Sequence, residues 1–282
     1  MTTGATQTTI DPTATLHPSA TLGVGVTIGA GVIIGPGCVV GDRTSLAPRA
    51  ILVRNTTLGS DNRIHANAVL GDDPQDRAFD PDADPGSLAI GDDNIIREFV
   101  TIHRGAGDAG PTRIGSGCFL MVSSHVGHNC VVGDRVILTN YAGLAGHVHL
   151  GDGAILSGHA AVHQFCDAGE LCMFQAGARV SQHVPPYTIV HRDGNRLAGI
   201  NTVGLRRAGY SAADITQIRD LYKMLFRTGR PMPVMLDEAR HRDWRPAAMR
   251  LLDFCDAALA RTPPRAHGLC RATPRVDKPR SA

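Results

Sequence analysis

From Ile10 onward, every sixth position of the chain carries an apolar residue: Ile10, Leu16, Leu22, Ile28, Ile34, Val40, Leu46, Leu52, Leu58, Ile64 and Leu70. The lattice stops in GDDPQDRAFDPDADPGSLA, resumes at Ile90, Ile96 and Ile102, and breaks again in HRGAGDAGPTR. It then runs unbroken from Ile114 to Val180. A period of six fits neither the 3.6 of a helix nor the 2 of a single strand. It predicts a hexapeptide β-helix, in which short strands turn a corner every six residues. With three sides per coil, residues 18 apart stack at about 4.8 Å, the spacing of paired strands. Gly, Asn and Asp beside the apolar positions suit the corners, where φ > 0 is needed.

The two Asp/Pro- and Gly-rich breaks read as excursion loops at 71–89 and 103–113. HVPPY at 183–187 ends the lattice, since two prolines cannot continue a ladder. The β-helix is therefore expected over 1–190. Beyond it, Ser211 heads a helix with Asp214 three residues on, and Ile215, Ile218, Leu221, Tyr222 and Leu225 form its apolar face. MPVMLDEARHRD and WRPAAMRLLDFCDAALA read as further helices, giving a helical domain over 191–262. The Pro/Arg-rich stretch 263–282 is expected to be disordered.

Composition agrees with a repeat architecture, because 32 glycines and 4% aromatics leave little for a core of large side chains. Seven cysteines, an odd number, argue against a secreted disulfide framework. Cys38, Cys118, Cys130, Cys166 and Cys172 share one phase of the hexad and read as reduced space-fillers. No basic leader and no apolar run of about 20 residues is present, so a cytoplasmic protein without membrane insertion is expected. The net charge of +2 hides an asymmetry: residues 191–282 hold 18 of 28 basic and 9 of 26 acidic side chains. A basic appendage on an acidic body points to an acidic partner or an anionic ligand, not to nucleic acid.

Six of the 13 histidines fall in the long run, at 125, 128, 147, 149, 159 and 163. The hexads beginning at Val126, Leu144 and Val162 are 18 apart, so their third residues, His128, Gly146 and Gln164, form a column. Asn129, His147, His163 and the corner residue His125 flank it. An imidazole can take a proton from a hydroxyl near neutral pH. A glycine one coil away lets a carbonyl approach a backbone N–H, which stabilises an oxyanion. His149 and His159 read as ordinary surface residues. A zinc site with histidine ligands is the rival chemistry, but no cysteine joins the column.

HVGHNC, LAGHV, AVHQFC, VPPY and NTVGLRRAGYS, in this order over approximately residues 10–230, closely resemble the acyl-carrier-protein–UDP-N-acetylglucosamine O-acyltransferases. That resemblance implies a left-handed parallel β-helix followed by a small α-helical C-terminal domain. It also implies a homotrimer with sites between subunits, and no metal or organic cofactor. The implied reaction moves an (R)-3-hydroxyacyl chain from acyl carrier protein to the glucosamine 3-hydroxyl of UDP-GlcNAc, the first step of lipid A biosynthesis. By motif, His128 would be the base and Gly146 the oxyanion donor, with His125, Asn129, His147, His163 and Gln164 lining the site. Gln75 and Asp76 of the first excursion, with Asn201 and Arg207 of NTVGLRR, would contact the sugar nucleotide. Met173, Phe174, Gln175 and Ala176 of CMFQAG would set acyl-chain length and favour a medium chain.

The chain departs from the family pattern at Asn129, where Asp is usual, and at Ala78, Val203 and Ala208. These departures leave the 3-amino analogue of the sugar as an alternative acceptor. A zinc-dependent hydratase of the same superfamily and a non-catalytic scaffold are weaker alternatives. The related N-acyltransferase is disfavoured because hexads already begin at Ile10, where its extra uridine-binding domain would stand.

Overall fold

The computed structural model describes residues 7–80, 82, 86–107 and 110–273. The hexads form a left-handed parallel β-helix of two- to five-residue strands, arranged as three sheets of 12, 9 and 8 strands. The first of these sheets also takes in the strands that close the chain. Strands pair with the strand 18 residues on, as Thr9↔Thr27 and His125↔Gly143 do. Register jumps to 32 across the first excursion, as in Arg63↔Ile95, and to 24 across the second, as in Thr101↔His125. The pairing resumes unchanged each time, so both loops are inserted between coils without disturbing the lattice.

From Ile28 to Val180 the lattice residues are buried at 3% exposure or less, and they stack down the axis as one aliphatic core. Truncating one of them, such as Leu144, to alanine would cost about 2–5 kcal/mol, because neighbouring coils cannot collapse into the gap. The five hexad cysteines fill the second inward position, as expected, and all seven cysteines are buried and free.

The corners recur at one phase, with positive φ at 25, 31, 37, 43, 49, 55, 61 and 67, and again from Gly117 to Gly177. Gly, Asn and Asp occupy many of these positions, yet Phe99, Arg135, Tyr141, His147 and Leu171 adopt the same left-handed conformation. The coil closure imposes the turn even where the residue does not favour it.

The C-terminal region carries α1 (Thr202–Arg207), α2 (Ala212–Phe226), α3 (Met232–Arg240) and α4 (Pro246–Ala260). The Ser211–Asp214 capping box forms, and the five apolar residues named above are buried against α3 and α4. Among the described residues no helix is long and apolar enough to cross a membrane.

The stretch after Pro263 differs from expectation. Residues 263–273 pack back onto the β-helix, and Arg271–Ala272 adds a parallel strand beside Arg196–Leu197. Aperiodicity concealed this, because the segment is held by polar side-chain anchors and a short backbone ladder and not by a repeating apolar face. The rest of the expected disordered tail, 274–282, lies outside the described residues.

Candidate active site

His128 stands on the column as the spacing predicts, with Gly146 one coil away. A Cβ added at Gly146 would lie 2.7 Å from His128 Nε2, so any larger residue there would block the imidazole nitrogen. A Cβ at Gly127 would lie 2.8 Å from the Gly146 nitrogen. The two glycines together keep open the space between the imidazole and that amide. The Gly146 N–H has no hydrogen-bond acceptor among the described residues. Gly127 escaped the sequence reading because it resembles an ordinary turn glycine.

Asn129 orients the imidazole. Its Nδ2 donates to the carbonyls of Ala106 and Gly110, each at 2.8 Å, which uses both amide hydrogens. Its Oδ1 therefore faces His128 Nδ1, at 2.7 Å, and can only accept. His128 must carry its proton on Nδ1, leaving a lone pair on Nε2 toward Gly146. The Asn129 N–H is also held, by Thr112 Oγ1 at 2.8 Å, and the residue has the left-handed φ of 58° that asparagine tolerates well. Three anchors from the second excursion thus fix one tautomer.

Grooves open on both sides of His128. One, of about 360 Å³, is lined by Asp76, Phe79, Ala106, Asn129 and His147. The other, of about 400 Å³, is lined by Gln75, His103, His125, Gly146 and Gln164. Adjacent residues of the first excursion thus face opposite sides of one imidazole. That excursion is pinned by Arg104, whose fully buried guanidinium pairs with Asp73, donates to the Gly71 carbonyl at 3.1 Å and lies 5.4 Å over the Phe79 ring. His103 Nδ1 bonds the Asp73 carbonyl beside it.

The flanking histidines differ from His128. His125 Nδ1 bonds Thr101 Oγ1 at 2.8 Å, and burial, aided by nearby His103, lowers its pKa to about 4. It is neutral at physiological pH and serves as a hydrogen-bonding wall. His147 is lowered too, by burial and then by His128, and its ring stacks on Phe165 at 4.5 Å. His163 is exposed and lines neither groove, facing His267 of the C-terminal segment.

Other expected residues are dispersed within the chain. Asn201 is buried, accepts from the Gly204 N–H as the N-cap of α1 and donates to the Leu171 carbonyl. Arg207 is exposed at the end of α1. Phe174 corrects the CMFQAG reading: it is fully buried at a lattice position, pairs with Leu156 and Val190, and cannot wall a groove. Met173 is half-buried, Ala176 is exposed, and Gln175 Oε1 accepts from the Arg192 N–H.

His149, expected at the surface, keeps an exposed side chain and also joins a charged cluster around Asp167, which is 4% exposed. Arg265 Nη1 donates to Asp167 at 2.9 Å, Arg261 pairs with its other oxygen, and His149 Nδ1 lies 3.2 Å away. Burial would raise this carboxyl, but the His149 hydrogen bond and the two guanidiniums hold it below its ordinary value. Arg265 Nη2 also donates to the His147 carbonyl, at 2.9 Å, so the C-terminal segment touches the backbone of a residue that lines the first groove. His183 takes the Asp167 N–H on Nδ1 and bonds the Arg265 carbonyl through Nε2, so it is a neutral strut and not an ion partner.

Comparison with known proteins places this chain in a family. Residues 183–263 match the family described as UDP N-acetylglucosamine O-acyltransferase, domain 2, and residues 111–146 match the bacterial transferase hexapeptide repeats. An acyl-(acyl-carrier-protein)–UDP-N-acetylglucosamine O-acyltransferase of Anaeromyxobacter is 45% identical over 63% of this chain and 68% of its own length. The chain belongs to the UDP-N-acetylglucosamine O-acyltransferase family. Solved members superpose along nearly its whole length. The Francisella novicida UDP-N-acetylglucosamine acyltransferase does so at TM-score 0.85 and 35% identity, over 94% of both chains. The Bacteroides fragilis enzyme gives 0.86 and 32%, over 93% of this chain and all of its own.

Proposed function

We propose that this protein transfers an (R)-3-hydroxyacyl group from acyl carrier protein to the 3-hydroxyl of UDP-GlcNAc, opening lipid A biosynthesis. The observation that carries the reading is the tautomer lock: Asn129 holds Nδ1 of His128, and Nε2 faces a space kept clear by Gly127 and Gly146. Family membership supplies the substrate classes.

In the proposed reaction, His128 Nε2 takes the proton of the sugar hydroxyl as its oxygen attacks the thioester carbonyl. The new C–O bond forms while the carbonyl oxygen becomes an oxyanion, which the Gly146 N–H stabilises. Collapse breaks the C–S bond, and the departing thiolate takes the proton back from His128. No group outside the chain is required to balance the step. Asn129 is neutral, so it positions the imidazole without supplying a counter-charge.

Gln75, Asp76, His125, His147 and Gln164 are assigned to the walls of the acceptor and acyl site; His163, which lines neither groove, is left out of them. Asn201 and Arg207 would act only on a neighbouring subunit's nucleotide, in a homotrimer. Exposed Ile33, Val39 and Val131 on the flat faces support such packing. Met173 and Ala176 are the remaining candidates for limiting chain length. Arg219, Lys223 and Arg227, gathered on one face of α2, suit an acidic carrier protein. Work in the cytoplasm fits these soluble substrates.

Product analysis by mass tests the reading, with UDP-GlcNAc and its 3-amino analogue offered alongside a series of acyl carrier protein thioesters. The expected product is the O-acyl ester of UDP-GlcNAc. Acylation of the amine alone would overturn the assigned acceptor, and no transfer to either would overturn the reaction.

A further inference from the structure

Away from the grooves, three potential metal ligands meet at one corner of the β-helix. His163 and Cys166 come from the same coil, three residues apart across a turn. His267 comes from the C-terminal segment, a hundred residues later in the chain. One ligand atom from each lies within 4.8 Å of the other two. The His163 and His267 rings meet edge to face at 5.8 Å.

The backbone fixes His267 there. The His183 N–H donates to the Gly268 carbonyl at 2.8 Å, and the Cys270 N–H returns to the His183 carbonyl at 2.9 Å. Arg265, two residues earlier, is anchored on Asp167 and the His147 carbonyl. His267 is thus held on both sides by contacts that do not involve its own side chain.

Its imidazole is nevertheless incomplete. His267 Nε2 is buried and has no hydrogen-bond partner among the described residues. Leaving a buried polar atom unpaired costs about 1–3 kcal/mol, so a native structure retains one only where something else satisfies it. Nearby Asp167 is already engaged, with Arg261, Arg265 and His149 within ion-pair distance of its carboxylate.

We infer that His163, Cys166 and His267 form a binding site for a zinc-class divalent ion that clamps the C-terminal segment to the β-helix. Two imidazoles and one thiolate suit zinc, a borderline-soft ion, and do not suit magnesium or calcium, which take oxygen ligands. A fourth, solvent ligand would complete a tetrahedron on the side where His163 is exposed. Contraction of the cluster by about 1 Å brings the donors to the separations that metal bonds of about 2.0–2.3 Å require. The thiolate offsets one of the ion's two charges beside the Arg-rich cluster. Burial pushes the Cys166 thiol up to about 12, so ion uptake must expel its proton. The site is structural and lies outside the proposed acyl-transfer steps.

The test uses the full chain, stripped with a chelator and titrated with Co²⁺ as a spectroscopic stand-in for zinc. One equivalent per chain should give a thiolate-to-cobalt charge-transfer band with tetrahedral visible absorption, and zinc should displace it. His267→Ala should abolish the band and weaken zinc binding by more than the roughly 10- to 100-fold typical of losing an outer-shell partner. His17→Ala, an exposed histidine in the N-terminal coils, should leave both unchanged. Absence of a thiolate band at stoichiometric cobalt, or a band that survives His267→Ala, overturns the site. His267→Ala keeps every backbone bond of the segment, and Cys166→Ser provides a second removal of the sulfur if a conservative change is needed. Neither readout depends on acyl transfer, so the site and the proposed reaction stand or fall separately.

Discussion

The coiled body and the segment 261–273 are both ordered, yet they are held by different physics. In the body, each residue is placed by a neighbour 18 positions away, and every coil repeats the same apolar contacts. In the segment, placement depends on a short backbone ladder to His183, Asn195 and Leu197 and on single polar anchors across 82 to 118 residues of sequence, such as Arg265 to Asp167 and to the His147 carbonyl. Redundancy makes the body a rigid rack on which a catalytic column tolerates loss of a side chain. The segment has no such redundancy, so a single substitution there acts on stability.

Four substitutions test that contrast. The largest effect is expected from His128→Ala, which should lower acyl transfer by at least ~100-fold, the scale of a general base, with the thermal midpoint unchanged. A matching fall in midpoint would show that the column and the scaffold are not separable. Gly146→Ala puts a methyl 2.7 Å from His128 Nε2. The amide N–H stays in place, so about 100-fold should be lost through obstruction of Nε2, within the range of a general base, and activity near wild type would remove Gly146 from the site.

The contrast reverses at Asp167→Ala. This leaves Arg261 and Arg265 without their carboxylate and should cost about 2 kcal/mol of stability in denaturant titration. That is below the 3–5 kcal/mol of a fully buried broken pair, because the guanidiniums keep 30% and 22% exposure. Turnover per folded molecule should change little, and an unchanged unfolding midpoint would deny the cluster its anchoring role.

The smallest effect is a slope. The His125 pKa in the folded chain, about 4, lies below its ordinary 6.5, so between these values the unfolded chain binds an extra proton. Stability should therefore fall as pH drops from about 6.5 to 4. His125→Asn should flatten that decline, and an identical slope in both proteins would place His125 in a wetter setting.

The same contrast explains how much the sequence disclosed. The lattice, the coil register and the column of His128, Gly146 and Gln164 follow from one period, because the repeat makes distance in sequence equal to position in space. Asn129 was visible as a neighbour of the base, but its partners Ala106 and Gly110 lie in an excursion with no period to align them. Phe174 was misjudged because its motif suggested a wall where its lattice position dictates the core. The order of 263–273 was missed for the reason that separates the two regions. Point contacts between charged groups leave no pattern in composition.

The changes of register from 18 to 32 and then to 24 bear on how such a protein can diversify. Because the strand ladder closes again after either insertion, loop length is a free variable that the core does not sense. The wall that the first excursion supplies can be lengthened, shortened or exchanged while the coil bearing the proposed base, and the second excursion that orients it, are inherited intact. Selection can then act on what the protein accepts without reopening the question of whether it folds.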